Sequence, residues 1–185
     1  MAMQIRDAVL SDFEEIKEIY NQIVLTSTAT YNDWPATLEE RVAWWQSRRA
    51  QGFPVRVAAS ETAGNDSQLT GERSIPGFAS FGEFRAWPGY CFTVEGTVHV
   101  HSSLRGQGVG TALLQELAPR ARSMGKHVPV AGVDAGNDSS SAFWRASGLN
   151  GSRVFARPAT NSIVFRTWFF FSSGSPRRRD PESDN

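Results

Sequence analysis

The chain has 185 residues, 40% of them hydrophobic and 21% charged, with 19 Lys and Arg balanced by 19 Asp and Glu. That suits one domain with a proper core, and the absent net charge gives no bulk electrostatic case for nucleic acid or a membrane surface. One cysteine, Cys91, excludes an internal disulfide framework and a cysteine metal cluster, and no leader-like segment or membrane-length apolar run is present, so a cytoplasmic location is expected. As a lone thiol, Cys91 reads as a small half-buried residue.

Gln4–Ala8 has the character of a first strand. Ser11 and Glu14 have capping-box spacing, and Phe13, Ile16, Ile19, Tyr20 and Ile23 continue at helical intervals. Residues 26–35 are polar, aromatic and irregular, as in a loop. Thr37 and Glu40 form a second capping box, opening a helix through Val42 and Trp45 toward Arg49, with Gly52 as its stop. Val55–Ala59 reads as a strand, and residues 60–74, rich in small polar residues, as a long flexible connection. Gly77–Phe84 and Phe92–His101 are expected as strands joined around Trp87, Pro88 and Gly89. Val109–Ser123 is helical and ends at Gly125, Val128–Val133 is a buried strand, and Ser139–Ala146 is a short helix ended by Gly148. The order is βααβββαβα.

The most telling segment runs from Val98 to Leu114. An alternating strand pattern passes through Arg105-Gly106-Gln107-Gly108-Val109-Gly110 straight into a helix. The first N–H groups of that helix lack intrahelical partners, and its dipole puts positive potential there. Glycines at 106, 108 and 110 would let a diphosphate approach the backbone closely. No Gly-Lys-Ser/Thr follows, so the turn is not a Walker loop, and G-x-G-x-G past mid-chain is a poor dinucleotide fingerprint. Taken alone, a plain strand-to-helix turn remains an alternative.

Arg105-x-x-Gly108-x-Gly110 resembles the R/Q-x-x-G-x-G/A signature of the GCN5-related N-acetyltransferases. Ile5–Ala8 with Asp12-Phe13 resembles the opening of that family. Its phosphinothricin acetyltransferase branch is resembled in Tyr20–Gln22, Thr26–Tyr31, Phe81–Arg85, Pro88–Tyr90, Thr93–Glu95 and Ala131–Ser140. The resemblance covers roughly residues 3–149 in order. It implies the α/β acyl-CoA N-acyltransferase fold: a mixed, mostly antiparallel central sheet flanked by helices. It also implies acetyl-CoA as cosubstrate, with no metal, and a small-molecule amine acceptor such as phosphinothricin or methionine sulfoximine. Another small amine is the alternative acceptor. A homodimer is implied as well; nucleic acid and membrane are not expected partners, on the charge balance above.

Acetyl transfer from a thioester needs a neutral amine held near the carbonyl, a donor for the developing oxyanion, and preferably a proton for the leaving thiolate. Glu95 matches the family's base; otherwise it is a strand Glu facing solvent. The resemblance gives Val98, His99 and Val100 to the stretch beside the pantetheine arm, with Val98 and Val100 contributing backbone groups. It gives Arg105, Gly106, Gln107, Gly108, Val109, Gly110 and Thr111 to the pyrophosphate, although Arg105 could equally pair with a surface carboxylate. Asn137 matches a CoA-touching residue, or is an ordinary N-cap. No tyrosine stands near Phe143 and Trp144 to serve as general acid. His99 and His101, at alternating strand positions, would share a face; structural histidines are expected rather than a metal pair. Thr30, Tyr31, Phe84 and Arg85 are the candidate acceptor pocket, with Arg85 either holding a substrate carboxylate or lying on the hairpin surface.

After Leu149 the resemblance stops, where the family would continue with a G-x-K-F-x-R segment and a D-L-V-rich strand. A single domain over residues 1–171 followed by a polar tail, 172–185, is expected, with 150–171 atypical. Val154–Ala156 and Ile163–Phe171 are apolar enough to act as substitute strands, while Trp168–Phe171 invites aggregation. Back-translated codons for Ala159–Val164, GCC-ACA-AAT-TCG-ATC-GTT with a preceding G, regroup one base earlier as Gly-His-Lys-Phe-Asp-Arg. The same regrouping through Ser172 can spell GLEWFAGFREAGHKFDRFQDLVLLQ; the first base of each new codon is free and the other two are largely dictated. A shifted frame or misplaced splice junction near Gly148 accounts for this, and an impaired CoA-binding protein is then the alternative to an active enzyme.

Overall fold

A computed structural model of the chain describes residues 3–27, 29–30, 32–60, 75–134 and 136–148, together with the backbone of 151–155 and 163–167. Tyr31, residues 61–74 of the connection expected over 60–74, the aromatic run 168–171 and the tail 172–185 lie outside the described residues, while Ser60 closes the second strand. The strands are β1 (Met3–Asp7), β2 (Val55–Ser60), β3 (Gly77–Glu83), β4 (Thr93–Val100), β5 (Val128–Asp134), β6 (Gly151–Phe155) and β7 (Ile163–Thr167). The helices are α1 (Phe13–Thr26), α2 (Leu38–Ala50), α3 (Val109–Ser123) and α4 (Asp138–Ala146). Among the described residues the strands form one seven-stranded sheet in the order β1-β2-β3-β4-β5-β7-β6. Only β4 and β5 pair in parallel; every other pairing is antiparallel.

Apolar side chains on the two sheet faces make separate cores. Phe13, Ile16, Ile19 and Ile23 of α1 pack with Val55, Val57 and Phe78, and α2 adds Val42, Trp44 and Trp45. A second core joins Leu113, Leu117 and Ala121 of α3 to Ala58, Ala79 and Val94. The Thr37–Glu40 capping box forms as expected: Glu40 N–H donates to Thr37 Oγ1 at 3.2 Å, and Thr37 N–H donates to the Glu40 carboxylate at 2.8 Å. Positive φ values at Gly52, Gly125 and Gly148 end α2, α3 and α4 where the sequence places stops.

Three local readings are corrected. Ser11 does not cap α1: a 3-10 turn, Leu10–Asp12, precedes the helix, and Asp12 is the organising acid. Its carboxylate accepts from Val9 N–H at 2.8 Å and from both ends of the Arg6 guanidinium, at 2.7 and 2.8 Å. That bidentate pair fixes the turn more firmly than a serine hydroxyl could. Cys91 is exposed rather than half-buried, because it follows the Pro88–Tyr90 3-10 turn outside any sheet pairing. His101 lies beyond β4, as N-cap of the Ser102–Leu104 turn, so it does not share a strand face with His99. The substitute strands do pair, β7 lying against β5 and β6 against β7.

Candidate functional site

The site begins where two strands separate. β4 pairs with β5 only over Thr93–Glu95 against Val128–Val130, and Pro129 inside that ladder has no N–H to give. Beyond Glu95, β4 stays paired with β3 as far as Val100 but has no β5 partner. Alternate backbone groups of residues 96–100 therefore face a gap, as an extended ligand joining the sheet requires. The Val98 and Val100 side chains pack into the α3-side core, so their backbone groups are what the gap receives.

The glycine turn follows directly. Gln22 of α1 pins its approach, donating to Ser102 Oγ at 2.8 Å and accepting from Ser102 N–H at 3.2 Å. Gly106 and Gly108 have φ of 75° and 83°, conformations that glycine adopts without strain. Gly108 caps α3, its carbonyl accepting from Ala112 N–H at 3.0 Å. The N–H groups of Val109, Gly110 and Thr111 precede that first helical bond. A Cβ on Gly106 or Gly108 would meet nothing within 4 Å, so the space before the turn is open to an anion. Gly110 does something else: a Cβ there would stand 3.2 Å from the Phe143 ring, so the third glycine lets α4 close on the first turn of α3.

Around the turn, Arg105 and Gln107 are exposed and bond back to the loop, Arg105 Nε to Val100 O and Gln107 Nε2 to Ser103 O, both at 3.3 Å. Asn137 is the N-cap of α4: its Oδ1 accepts from Ser140 N–H and from the Ser139 hydroxyl, each at 3.0 Å.

On the other face of β4, Glu95, Thr97 and His99 line a cavity of about 370 Å³ closed by Tyr20, Ala29, Thr30, Arg41, Trp44 and Phe78. Burial pushes the Glu95 carboxyl above its ordinary range, against the pull of the Arg48 and Arg85 charges. Gly82 is the direct β3 partner of Glu95, and the Arg48 guanidinium occupies the space a Cβ on Gly82 would need. His99 lies between Phe78 and Tyr20, with ring centroids at 5.0 and 6.0 Å. Burial, and then the Arg41 and Arg105 charges, push its imidazole down to about 4, so it is neutral near pH 7. A second, apolar cavity of about 30 Å³ lies toward α3 and α4, and Gly96 and Thr97 line both. Among the described residues no cluster of His, Cys, Asp and Glu could hold a metal ion, and no helix is long and apolar enough to cross a membrane.

The structure thus brings together Glu95, His99 and Thr30 in one cavity, and the phosphate-turn residues just beyond the same strand. Phe84 and Arg85 do not line the cavity; they lie at the start of the β3–β4 connection, Phe84 half-buried and Arg85 exposed, with the Arg85 guanidinium over the Phe84 and Tyr90 rings and its charge acting on Glu95. Sequence reasoning missed Tyr20 as a cavity residue, and Arg41, Trp44 and Arg48 altogether. The signal for the last three was their 41, 44, 48 spacing, which puts two arginines on one stripe of α2 with a tryptophan.

Residues 13–149 match the model of the acetyltransferase (GNAT) family. The chain is 40% identical over 149 residues to an L-methionine sulfoximine/L-methionine sulfone acetyltransferase of Pseudomonas paraeruginosa, covering 80% of this chain and 81% of that one. It is 41% identical over 138 residues to the L-amino acid N-acyltransferase MnaT of Escherichia coli, covering 75% and 74%. Among solved structures, yncA of Salmonella typhimurium, a putative acetyltransferase with its cofactor acetyl-CoA, superposes with a TM-score of 0.80 at 31% identity, covering 95% of this chain and 98% of that one.

Proposed function

Because the chain belongs to the GNAT family of acetyltransferases, we propose that it transfers acetyl from acetyl-CoA to the α-amine of a small amino-acid analogue of the methionine sulfoximine or phosphinothricin kind, with Glu95 as base. One observation carries the assignment. Glu95 is a cavity-lining carboxyl of raised pKa on the strand that runs into an open glycine turn and an unpaired helix N-terminus.

Acetyl-CoA, when bound, supplies an activated acyl thioester. Gly106 to Thr111 and Arg105 hold its phosphates, and the backbone of 96–100 holds its extended arm. A β4 N–H facing the gap polarises the thioester carbonyl. Glu95 takes the proton from the acceptor ammonium, directly or through water, which frees the nitrogen lone pair for attack. As the carbon–nitrogen bond forms and the carbon–sulfur bond breaks, the nitrogen sheds its second proton, which passes through water to the departing thiolate. Neither Phe143 nor Trp144 can give the departing thiolate a proton. The enzyme is read as a cytoplasmic homodimer acting on small molecules, and light scattering checks the assembly.

A thiol-release assay with acetyl-CoA and a panel of amines tests the function. Turnover is expected with L-methionine sulfone, methionine sulfoximine or phosphinothricin. Glu95→Gln lowers kcat by about a hundredfold or more. The carboxylate is populated only above its raised pKa, so the rate falls as pH drops through that value, and Glu95→Gln flattens this limb. Undiminished turnover in Glu95→Gln removes Glu95 as base. CoA binding without turnover of any amine assigns instead an impaired CoA-binding protein, the alternative raised by the atypical sequence expected over 150–171.

A further inference from the structure

We propose that Arg41, with Thr30, forms the subsite that holds the carboxylate of the acceptor, a role resting on the amino-acid acceptor proposed above. Arg41 belongs to α2, yet it is only 8% exposed, an unusual state for a guanidinium without a counter-ion. Its guanidinium carbon lies 4.2 Å from the ring centroids of both Tyr20 and Trp44. Ring contacts of this kind favour the cation but offer its N–H groups no acceptor. Among the described residues no carboxylate is within ion-pair distance of it.

A second observation points the same way. Three buried side-chain polar atoms among the described residues lack a hydrogen-bond partner: Thr30 Oγ1, Arg41 Nε and Arg56 Nε. Arg56 already pairs with Asp7 at 2.8 Å and donates to Ile5 O at 3.1 Å. Thr30 and Arg41 line the same cavity as Glu95. Buried polar atoms are rarely left unpaired, because each forfeits its hydration. A carboxylate accepting from Arg41 and from the Thr30 hydroxyl satisfies both at once.

The cavity then matches a zwitterion. Glu95 receives the ammonium, and Arg41 receives the carboxylate of the same molecule. The neutral imidazole of His99 adds no competing charge. Exposed Arg85, in contact with Phe84 and Tyr90, does not line this space. Arg41 is therefore a specificity-determining residue: it selects α-amino acids over simple amines.

The test compares L-methionine sulfone with its carboxamide, by turnover and by calorimetric binding to the full chain. Arg41→Lys keeps a positive charge but loses the planar fork. With the acid, kcat/KM is expected to fall about tenfold or more, since charge-assisted hydrogen bonds are lost. With the carboxamide it changes by less than about twofold, because the carboxylate that Arg41 reads is already gone. Thr30→Val keeps the shape and shows the same acid-selective loss, which covers the case in which Arg41→Lys folds poorly. Equal losses for acid and carboxamide overturn the proposal and leave Arg41 a packing residue between α1 and α2. Failure of every amine to react overturns the proposed function instead. Calorimetry then still decides Arg41: wild-type protein binding the acid no more tightly than the carboxamide refutes the subsite.

Discussion

Lowering the pH sets a quantitative trial for His99. Its imidazole is held at about 4 in the folded chain, against 6.5 for an unperturbed histidine. Above pH 6.5 both folded and unfolded chains carry it neutral, and its contribution to stability is complete. As pH falls below 6.5 the unfolded chain takes up the proton and the folded chain does not, so stability is lost until about pH 4, where the folded group protonates too. Between pH 7 and pH 5 this linkage removes about 2 kcal/mol. Urea unfolding at both pH values, at one protein concentration, measures the loss, and His99→Gln should abolish that part of it. Glu95 titrates with the opposite sign: its raised carboxyl pKa favours the folded state as pH falls. Because both groups line one cavity, the comparison is repeated in a Glu95→Gln background. Parallel loss of stability in wild type and His99→Gln, in both backgrounds, would refute a buried neutral His99.

Other outcomes are equally open to measurement. Gly108→Ala meets no neighbour within 4 Å but forces a side-chain-bearing residue to φ 83°, so chemical denaturation should show a loss of about 1 kcal/mol. The same methyl intrudes on the open space before α3, so KM for acetyl-CoA should rise several-fold with KM for the amine unchanged. Thr37→Ala removes one half of the α2 capping box and should cost about 1 kcal/mol in a urea titration. Sequencing the coding DNA tests the altered frame: codons for residues 147–172 that regroup into the family-like segment support it, and codons that cannot regroup end it.

Long, periodic elements were legible because one physical pattern determines them. The bounds of α3 follow from an apolar stripe between two glycine turns, and the observed helix has those bounds. The β4-to-α3 junction was legible for the same reason, since strand alternation, glycines and helix onset are all local. Asp12 was not, because its role depends on Arg6 reaching it across the turn from β1. The α2 side of the cavity escaped notice through an ordinary assumption about charge. Arginine at a helical position is usually solvated, and only the rings of Tyr20 and Trp44 make a buried place for Arg41. Arg85 was legible for its chemistry, and the structure puts it on the exposed β3–β4 connection, outside the cavity lining but with its charge acting on Glu95.

The brief contact between β4 and β5 has a mechanical consequence. Three rungs, one of them at Pro129, join a four-stranded portion to a three-stranded one. The portion bearing the glycine turn is cross-braced by α1, α2 and α3, whereas the other carries α4 against β5 and ends in β7 and β6. Such a seam works like a perforation: strain raised on one side has few rungs by which to reach the other. Substitutions in β6 and β7 should therefore leave the glycine turn little disturbed. A molecule lying along the gap would act as the missing stitching, so binding should stiffen the sheet across the very line where the polypeptide leaves it open.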